Sequence, residues 1–168
     1  PQDYRDWEHT SSGRMWYWEY WQFFAVGMVL RSERNAILLH GTMNLIRKKA
    51  LVEAGLWAEW CVTEDSELGL RILSLGYRAA YVLRSYGKGL VPFSFDAYTR
   101  QRSRWVRGGV QSLRCHWRLL LPWGSKRQLA VSQKLHYLQG WLPWMRDALV
   151  AAAGFPAMVV GCALLAGW

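Results

Sequence analysis

Nothing restricts the fold of this chain more than its last 21 residues. The run from Ala148 to Trp168, ALVAAAGFPAMVVGCALLAGW, carries no charge. As a helix rising about 1.5 Å per residue, it is long enough for a hydrocarbon core of ~30 Å. Gly and Pro are tolerated in membrane helices, and Trp168 suits an interface. The run is rich in Ala and Gly, so a buried core helix is the alternative. We expect a transmembrane helix over 148–168.

The preceding stretch points the same way. Ala97 to Arg146 holds ten basic residues and no acidic one, and the formal charge of the whole chain is +9. Elsewhere acids and bases nearly cancel, so the excess lies in that one stretch. A solvated basic face, anionic lipid headgroups, a phosphate-bearing substrate and nucleic acid are all compatible with it. Beside an apolar run, a basic flank predicts that the N-terminal side faces the cytoplasm. Arg114 to Arg146 is therefore expected to form interfacial helices. Trp117, Trp123, Trp141 and Trp144 would sit at headgroup level beside the arginines. With 15% aromatic and 20% charged residues, the chain is no solvated coil. Its three cysteines, Cys61, Cys115 and Cys162, are too few and too scattered for a disulfide scaffold.

Upstream, the pattern alternates. Residues 15–30 (MWYWEYWQFFAVGMVL) read as a buried helix packed on the core or against the membrane face. Ile37 to Arg47 reads as strand, tight turn at Gly41, strand. Arg47 to Ala54 reads as a short helix ending at Gly55. Thr63 is placed to cap a helix running to about Leu75, with Leu68, Ile72 and Leu75 on one face and Gly76 as its stop. Glu64, Asp65 and Glu67 lie in its first turn, where the helix dipole favours carboxylates. Ala79 to Leu83 reads as a short buried strand, and Gly87 to Pro92 as a loop. Ser94 is placed to cap a long helix from Phe95, which Gly108 and Gly109 would kink. The alternation predicts an α/β fold.

Three short patterns carry chemistry. They are HGT at 40–42, TED at 63–65 and QRSRW at 101–105. On a helix Gln101, Arg104 and Trp105 share a face. A guanidinium binds a diphosphate oxygen pair in bidentate fashion, an indole offers a platform for a sugar ring, and an amide reads hydroxyls or phosphate oxygens. That set suits a nucleotide-sugar leaving group beside a sugar acceptor. It equally describes an amphipathic helix with Trp105 in the core and arginines in water. Asp65 alone reads as a helix-dipole residue. A weakly nucleophilic acceptor hydroxyl, however, needs a positioned carboxylate as base.

The order TED, then QxxRW, then an apolar run resembles the family 2 glycosyltransferases that polymerise polysaccharides. Cellulose, chitin and hyaluronan synthases belong to that group. HGTMNLIRKKAL, EAGLW and VTEDSELGLRILSLGYRAAYV between the motifs are similar to it as well. AEWCVTED, RSYGKGLVP and HYLQGWLPW look most like bacterial glucosyltransferases that make β-1,3-linked or cyclic glucans.

The resemblance implies a membrane-bound, inverting enzyme that transfers a sugar, glucose by this likeness, from a UDP-sugar to a growing β-glucan. It implies Asp65 as general base and Gln101 and Arg104 at the donor diphosphate. Trp105 would help form the acceptor site. His40, Gly41, Thr42 and Glu64 would lie beside the substrates. The implied location is the bacterial inner membrane, with the transferase domain in the cytoplasm. Implied partners are the UDP-sugar, a polysaccharide acceptor and membrane lipids, with no nucleic acid.

One departure matters. The family holds Mg2+ or Mn2+ through an Asp-x-Asp, and this sequence has none. The expected organisation is therefore the C-terminal part of a GT-A-type domain, with metal ligands upstream and no activity from this piece alone. Residues 1–110 would be the acceptor-side half, 111–147 basic, Trp-rich interfacial helices, and 148–168 the membrane helix. A nucleic-acid-binding module and a membrane-anchored, non-catalytic scaffold of the same fold are the rival readings.

Overall fold

A helical stripe at four-residue spacing organises the core. Trp16, Tyr20, Phe24 and Met28 are all buried. They lie on one long helical rod formed by α1 (Ser11–Trp21), a π-helical stretch (Gln22–Gly27) and α2 (Met28–Glu33). Each step of four residues overshoots a 3.6-residue turn, so such a stripe drifts around an ideal α-helix. The wider π-helical turn takes that drift back. Thr10 caps the rod, its Oγ1 accepting from Gly13 N at 2.9 Å. The expected buried helix over 15–30 is thus present.

The computed structural model describes residues 3–121 and 129–167, without the side chains of 144–149. After the rod come α3 (Lys48–Glu53), α4 (Glu64–Ser74), α5 (Phe95–Leu120), α6 (Val131–Trp141) and α7 (Pro143–Leu165). Two strands, β1 (Asp3–Arg5) and β2 (Lys88–Leu90), pair in parallel, with Tyr4 opposite Gly89. Gly87 to Pro92, expected to be a loop, therefore contains a strand. Its partner lies more than eighty residues away, beyond the reach of any local pattern.

None of the three expected strands, the two flanking Gly41 within 37–47 and the one at 79–83, is a strand. Residues 36–47 and 79–83 carry no regular structure and make no ladder. Both stretches line an open groove of about 800 Å³, with Ile37, Leu39 and Met43 from the first and Ala79, Tyr81 and Val82 from the second. Side chains satisfy the backbone instead. Asn35 Oδ1 accepts from Ala79 N at 2.8 Å, and Ser32 Oγ accepts from Tyr81 N at 3.0 Å. Val82 and Leu83 are 60% exposed, so the stretch is not a buried one either.

Helix α4 is buried nearly all round, from Ser66 to Ser74 apart from Arg71. Leu68 and Ile72 pack on Ala50, whereas Leu70 and Leu73 face the main core. Thr63 stands at its N-cap position but accepts no capping bond. Gly76 follows its C-terminus with φ +87°. Ser94 does cap α5, accepting from Ala97 N at 3.2 Å. α5 runs as one helix through Gly108 and Gly109, which serve close packing: a Cβ on Gly108 would strike Thr63, and one on Gly109 would lie 2.7 Å from the Trp141 carbonyl oxygen.

One face of α6 packs on the core. Tyr137 and Trp141 are buried. Tyr137 donates to the Ile37 carbonyl at 2.9 Å, and Trp141 Nε1 donates to Ser66 Oγ at 3.3 Å. Trp141 was expected at headgroup level. An indole is equally suited to a lipid interface and to a core with a hydroxyl partner, and here the fold supplies Ser66. Trp117 is exposed at 48%. Trp123 and the Trp144 side chain lie outside the described residues. Among the described residues, no helix is long and apolar enough to cross a membrane. The described side chains of α7 are nevertheless almost all exposed, among them Val150, Phe155, Val159 and Leu164.

Candidate functional site

Asp65 occupies the first turn of α4, immediately after the contact between Thr63 and Gly108 of α5. Its Oδ1 accepts from Ser66 N at 2.8 Å. Its Oδ2 faces Gly41, where a Cβ would lie 3.0 Å away. Gly41 has φ +76°, a left-handed conformation that a side chain disfavours. Glycine is therefore needed there twice, for the turn and for the approach of the carboxylate. The fold brings the 40–42 loop and the 63–65 turn together, as the sequence suggested.

Burial raises the Asp65 pKa from its ordinary 3.8, and Glu64 adds to the rise; the Ser66 N–H and the Arg104 charge pull the other way. Arg104 is exposed on α5, so its charge reaches the carboxylate from the site side. The result is a half-buried carboxylate whose proton is held more tightly than usual, in the field of the exposed Arg104. Glu64 is exposed.

His40 is half-buried, edge-on to Phe24 with ring centroids 5.0 Å apart. Its Nδ1 is buried without a hydrogen-bond partner, and burial lowers its pKa. The shift favours its neutral imidazole form. Thr42 is exposed on that loop.

Gln101 and Trp105 face the rod. Tyr20 OH donates to Gln101 Oε1. The Tyr20 and Trp105 rings meet edge to face at 6.3 Å. Trp105 is half-buried against the core. The expected common face of Gln101, Arg104 and Trp105 is thus graded, with Arg104 outermost and the other two anchored.

Sequence reasoning passed over two groups that hold this site. Glu67 is 1% exposed and accepts from Arg71 Nε at 2.7 Å and Arg71 Nη2 at 2.7 Å. Its Oε1 also lies 2.6 Å from His116 Nε2. Burial raises the Glu67 pKa, but the bonds to His116 and Arg71 outweigh it and the net shift is downward. Arg71 also donates to the Ala54 and Leu56 carbonyls, so the network pins the loop before the 63–65 turn. The other group is Arg102, buried within the 101–105 segment. The available signals were the i, i+4 pairing of Glu67 with Arg71, and a charge at a core register of α5.

Among the described residues, no three His, Cys, Asp or Glu side chains come together to hold a metal. Asp65 and Glu64 do not make a divalent-cation site by themselves.

Comparison with known proteins places the chain. A family model described as glycosyl transferase family group 2 matches residues 2–168. The UDP-forming cellulose synthase catalytic subunit of Pseudomonas fluorescens (strain SBW25) is 36% identical over 109 residues, covering 63% of this chain and 15% of that protein. The corresponding subunit of Xanthomonas axonopodis pv. citri (strain 306) is 37% identical over 108 residues, 64% of this chain and 14% of that protein. Cellulose synthase 1 of Komagataeibacter xylinus is 34% identical over 104 residues, 62% and 13% respectively. The chain thus spans about a seventh of the length of these curated relatives.

Proposed function

Because the chain belongs to glycosyl transferase family group 2, and its mixed helices and small parallel sheet fit a GT-A-like α/β architecture, we propose that it carries the acceptor side of an inverting hexosyl transfer. The product is a β-glucan and the donor is a UDP-sugar, glucose in our reading. The close approach of Gly41 to the half-buried Asp65, within the field of Arg104, is the observation that carries this.

In the proposed reaction an acceptor hydroxyl attacks the anomeric carbon of the donor. The new C–O bond forms as the bond to the UDP oxygen breaks, and the electron pair leaves with UDP. The hydroxyl proton passes to Asp65, whose raised affinity for it suits a base. Attack from the face opposite UDP turns an α-linked donor into a β-linked product, with no covalent enzyme intermediate. Arg104 meets the charge growing on the diphosphate, and Gln101, oriented by Tyr20, supplies its amide beside it. Trp105 presents its ring to the acceptor sugar. His40, Gly41, Thr42 and Glu64 line the approach. The family resemblance implies Mg2+ or Mn2+ at the diphosphate. The residues described here do not build that site, so no step is assigned to a metal, and we place its ligands in sequence preceding this chain.

We also propose that α7 associates with lipid at a bacterial inner membrane, with the transferase part cytoplasmic. The exposed apolar side chains of Val150, Phe155, Val159 and Leu164 support this. The β-1,3-linked or cyclic glucan subgroup remains part of the proposal, since the relatives named above are cellulose synthases.

The test uses membranes from cells producing the complete gene product. Asp65→Asn is expected to lower glucose transfer from UDP-glucose at least about 100-fold, the range for losing a general base, with UDP affinity kept. Transfer indifferent to that change would favour the non-catalytic scaffold.

A further inference from the structure

Arg102 sits between Gln101 and Arg104 in sequence but not in the site. It is 6% exposed, whereas Arg104 and Arg107 on the same helix are exposed. The core-facing register of α5 includes Tyr98, Trp105, Gly109 and Ser112, and an apolar residue is expected at 102. A buried guanidinium at such a position is a local rule broken, and such breaks concentrate at functional sites.

Aromatic faces surround the charge. The guanidinium carbon lies 4.4 Å from the Trp105 ring centroid, 4.5 Å from that of Tyr98 and 5.0 Å from that of Tyr20. One nitrogen, Nη2, lies 2.7 Å from Glu19 Oε2, and Tyr98 OH donates to the same oxygen at 3.0 Å. The ion pair with Glu19 and the three ring faces together enclose the guanidinium. Charge pairing and ring faces together hold Arg102. The cage is braced from outside, with Tyr4 stacked on Tyr20 at 4.5 Å and Trp16 on Tyr98 at 5.1 Å.

Two of its walls belong to the site. Trp105 lies directly under the guanidinium, and Tyr20 donates to Gln101. We propose that Arg102 is a positioning residue. Its caged charge fixes the plane of the Trp105 indole and, through Tyr20, the direction of the Gln101 amide, without touching substrate. The inference rests on the proposed substrate roles of Trp105 and Gln101.

The test reads the indole itself. The chain is labelled with 5-fluorotryptophan, and its 19F signals for Trp105 and Trp117 are identified through Trp105→Phe and Trp117→Phe. Arg102→Met, close in length but uncharged, is expected to shift or broaden the Trp105 signal and leave Trp117 in place. Arg102→Lys restores most of the original position, and Arg107→Met changes nothing. In the complete gene product, Arg102→Met is expected to lower transfer at least tenfold with UDP affinity unchanged, and Arg102→Lys to recover part of it. An unmoved Trp105 signal overturns the proposal. So does an equal movement of every tryptophan signal, which would mark a purely structural residue. Should Arg102→Met lose its far-UV circular dichroism, Glu19→Gln loosens the cage with the guanidinium in place. A smaller shift of the same signal is then expected, and none overturns the idea. Failure of the functional reading shows separately, as transfer indifferent to Asp65→Asn.

Discussion

The two segments that meet at the candidate site are held by opposite means. Behind the Asp65 turn, the buried charge is an anion, Glu67, gripped by directional bonds from Arg71 and a short contact with His116. Behind Gln101 and Trp105 the buried charge is a cation, Arg102, surrounded by ring faces with one carboxylate nearby. Hydrogen bonds of that kind fix distance and angle, and they extend through Arg71 to the Ala54 and Leu56 carbonyls. The first device therefore fixes backbone. Ring faces instead fix the tilt of a side chain, which a sugar platform needs and a general base does not.

The sharpest way to break the contrast is to remove the anion. Glu67→Leu leaves Arg71 without its counter-charge and His116 without its partner, and the expected cost is about 4 kcal/mol in chemical denaturation. The pH dependence carries a sign. The folded state lowers the Glu67 pKa from its ordinary 4.5. Its stabilisation is therefore present above pH 4.5 and is lost as pH falls through the lower folded value. Glu67→Leu should flatten that part of the acid limb. A wild-type limb left intact in the variant would assign acid sensitivity to another group.

Next in size is the seam between the two segments. Gly108→Ala drives a methyl group into Thr63, and such overpacking is expected to cost about 3 kcal/mol. Thermal melting of the single variant and of the double variant with Thr63→Ala measures the seam directly. Recovery in the double should be partial, because Thr63 Cβ itself would lie 2.7 Å from the added carbon.

A smaller effect probes coupling across the seam. Burial places the Asp65 pKa above 3.8, and Arg104 restrains the rise. Transfer should fall as pH drops through that raised value, since a base must be unprotonated. Arg104→Met should move the acid limb to higher pH, beyond any loss in maximal rate. An unmoved limb would mean that the arginine does not sense the carboxylate.

Least in magnitude is Tyr20→Phe, which deletes the bond to Gln101 while keeping the ring. About 1 kcal/mol of stability is expected to go. A larger loss of transfer than of stability would show that the hydroxyl orients the amide.

These contrasts also mark how far residue patterns can be read. The rod, the Ser94 cap, the stop at Gly76 and the turn at Gly41 were legible, because each follows from local sterics or a neighbouring hydrogen bond. So was the meeting of the 40–42 and 63–65 patterns, through their family likeness. The stretches at 37–47 and 79–83 were misread as strands because a strand exists only with a hydrogen-bonded partner, and these make no ladder. β2 was missed for the converse reason, its partner being β1 at the far end of the chain.

Trp141 gives the plainest lesson. Composition placed it with Trp117 at an interface, yet one indole is buried on Ser66 and the other is exposed. Chain order and residue type settled where the rod, α3, α4 and the start of α5 lie, and the chemistry available at residues 40–42, 63–65 and 101–105. Long-range packing alone decided which charges are buried, which indoles face solvent and how tightly Asp65 holds its proton. Those properties depend on desolvation and on neighbours distant in sequence, and neither is written in a residue's immediate surroundings along the chain.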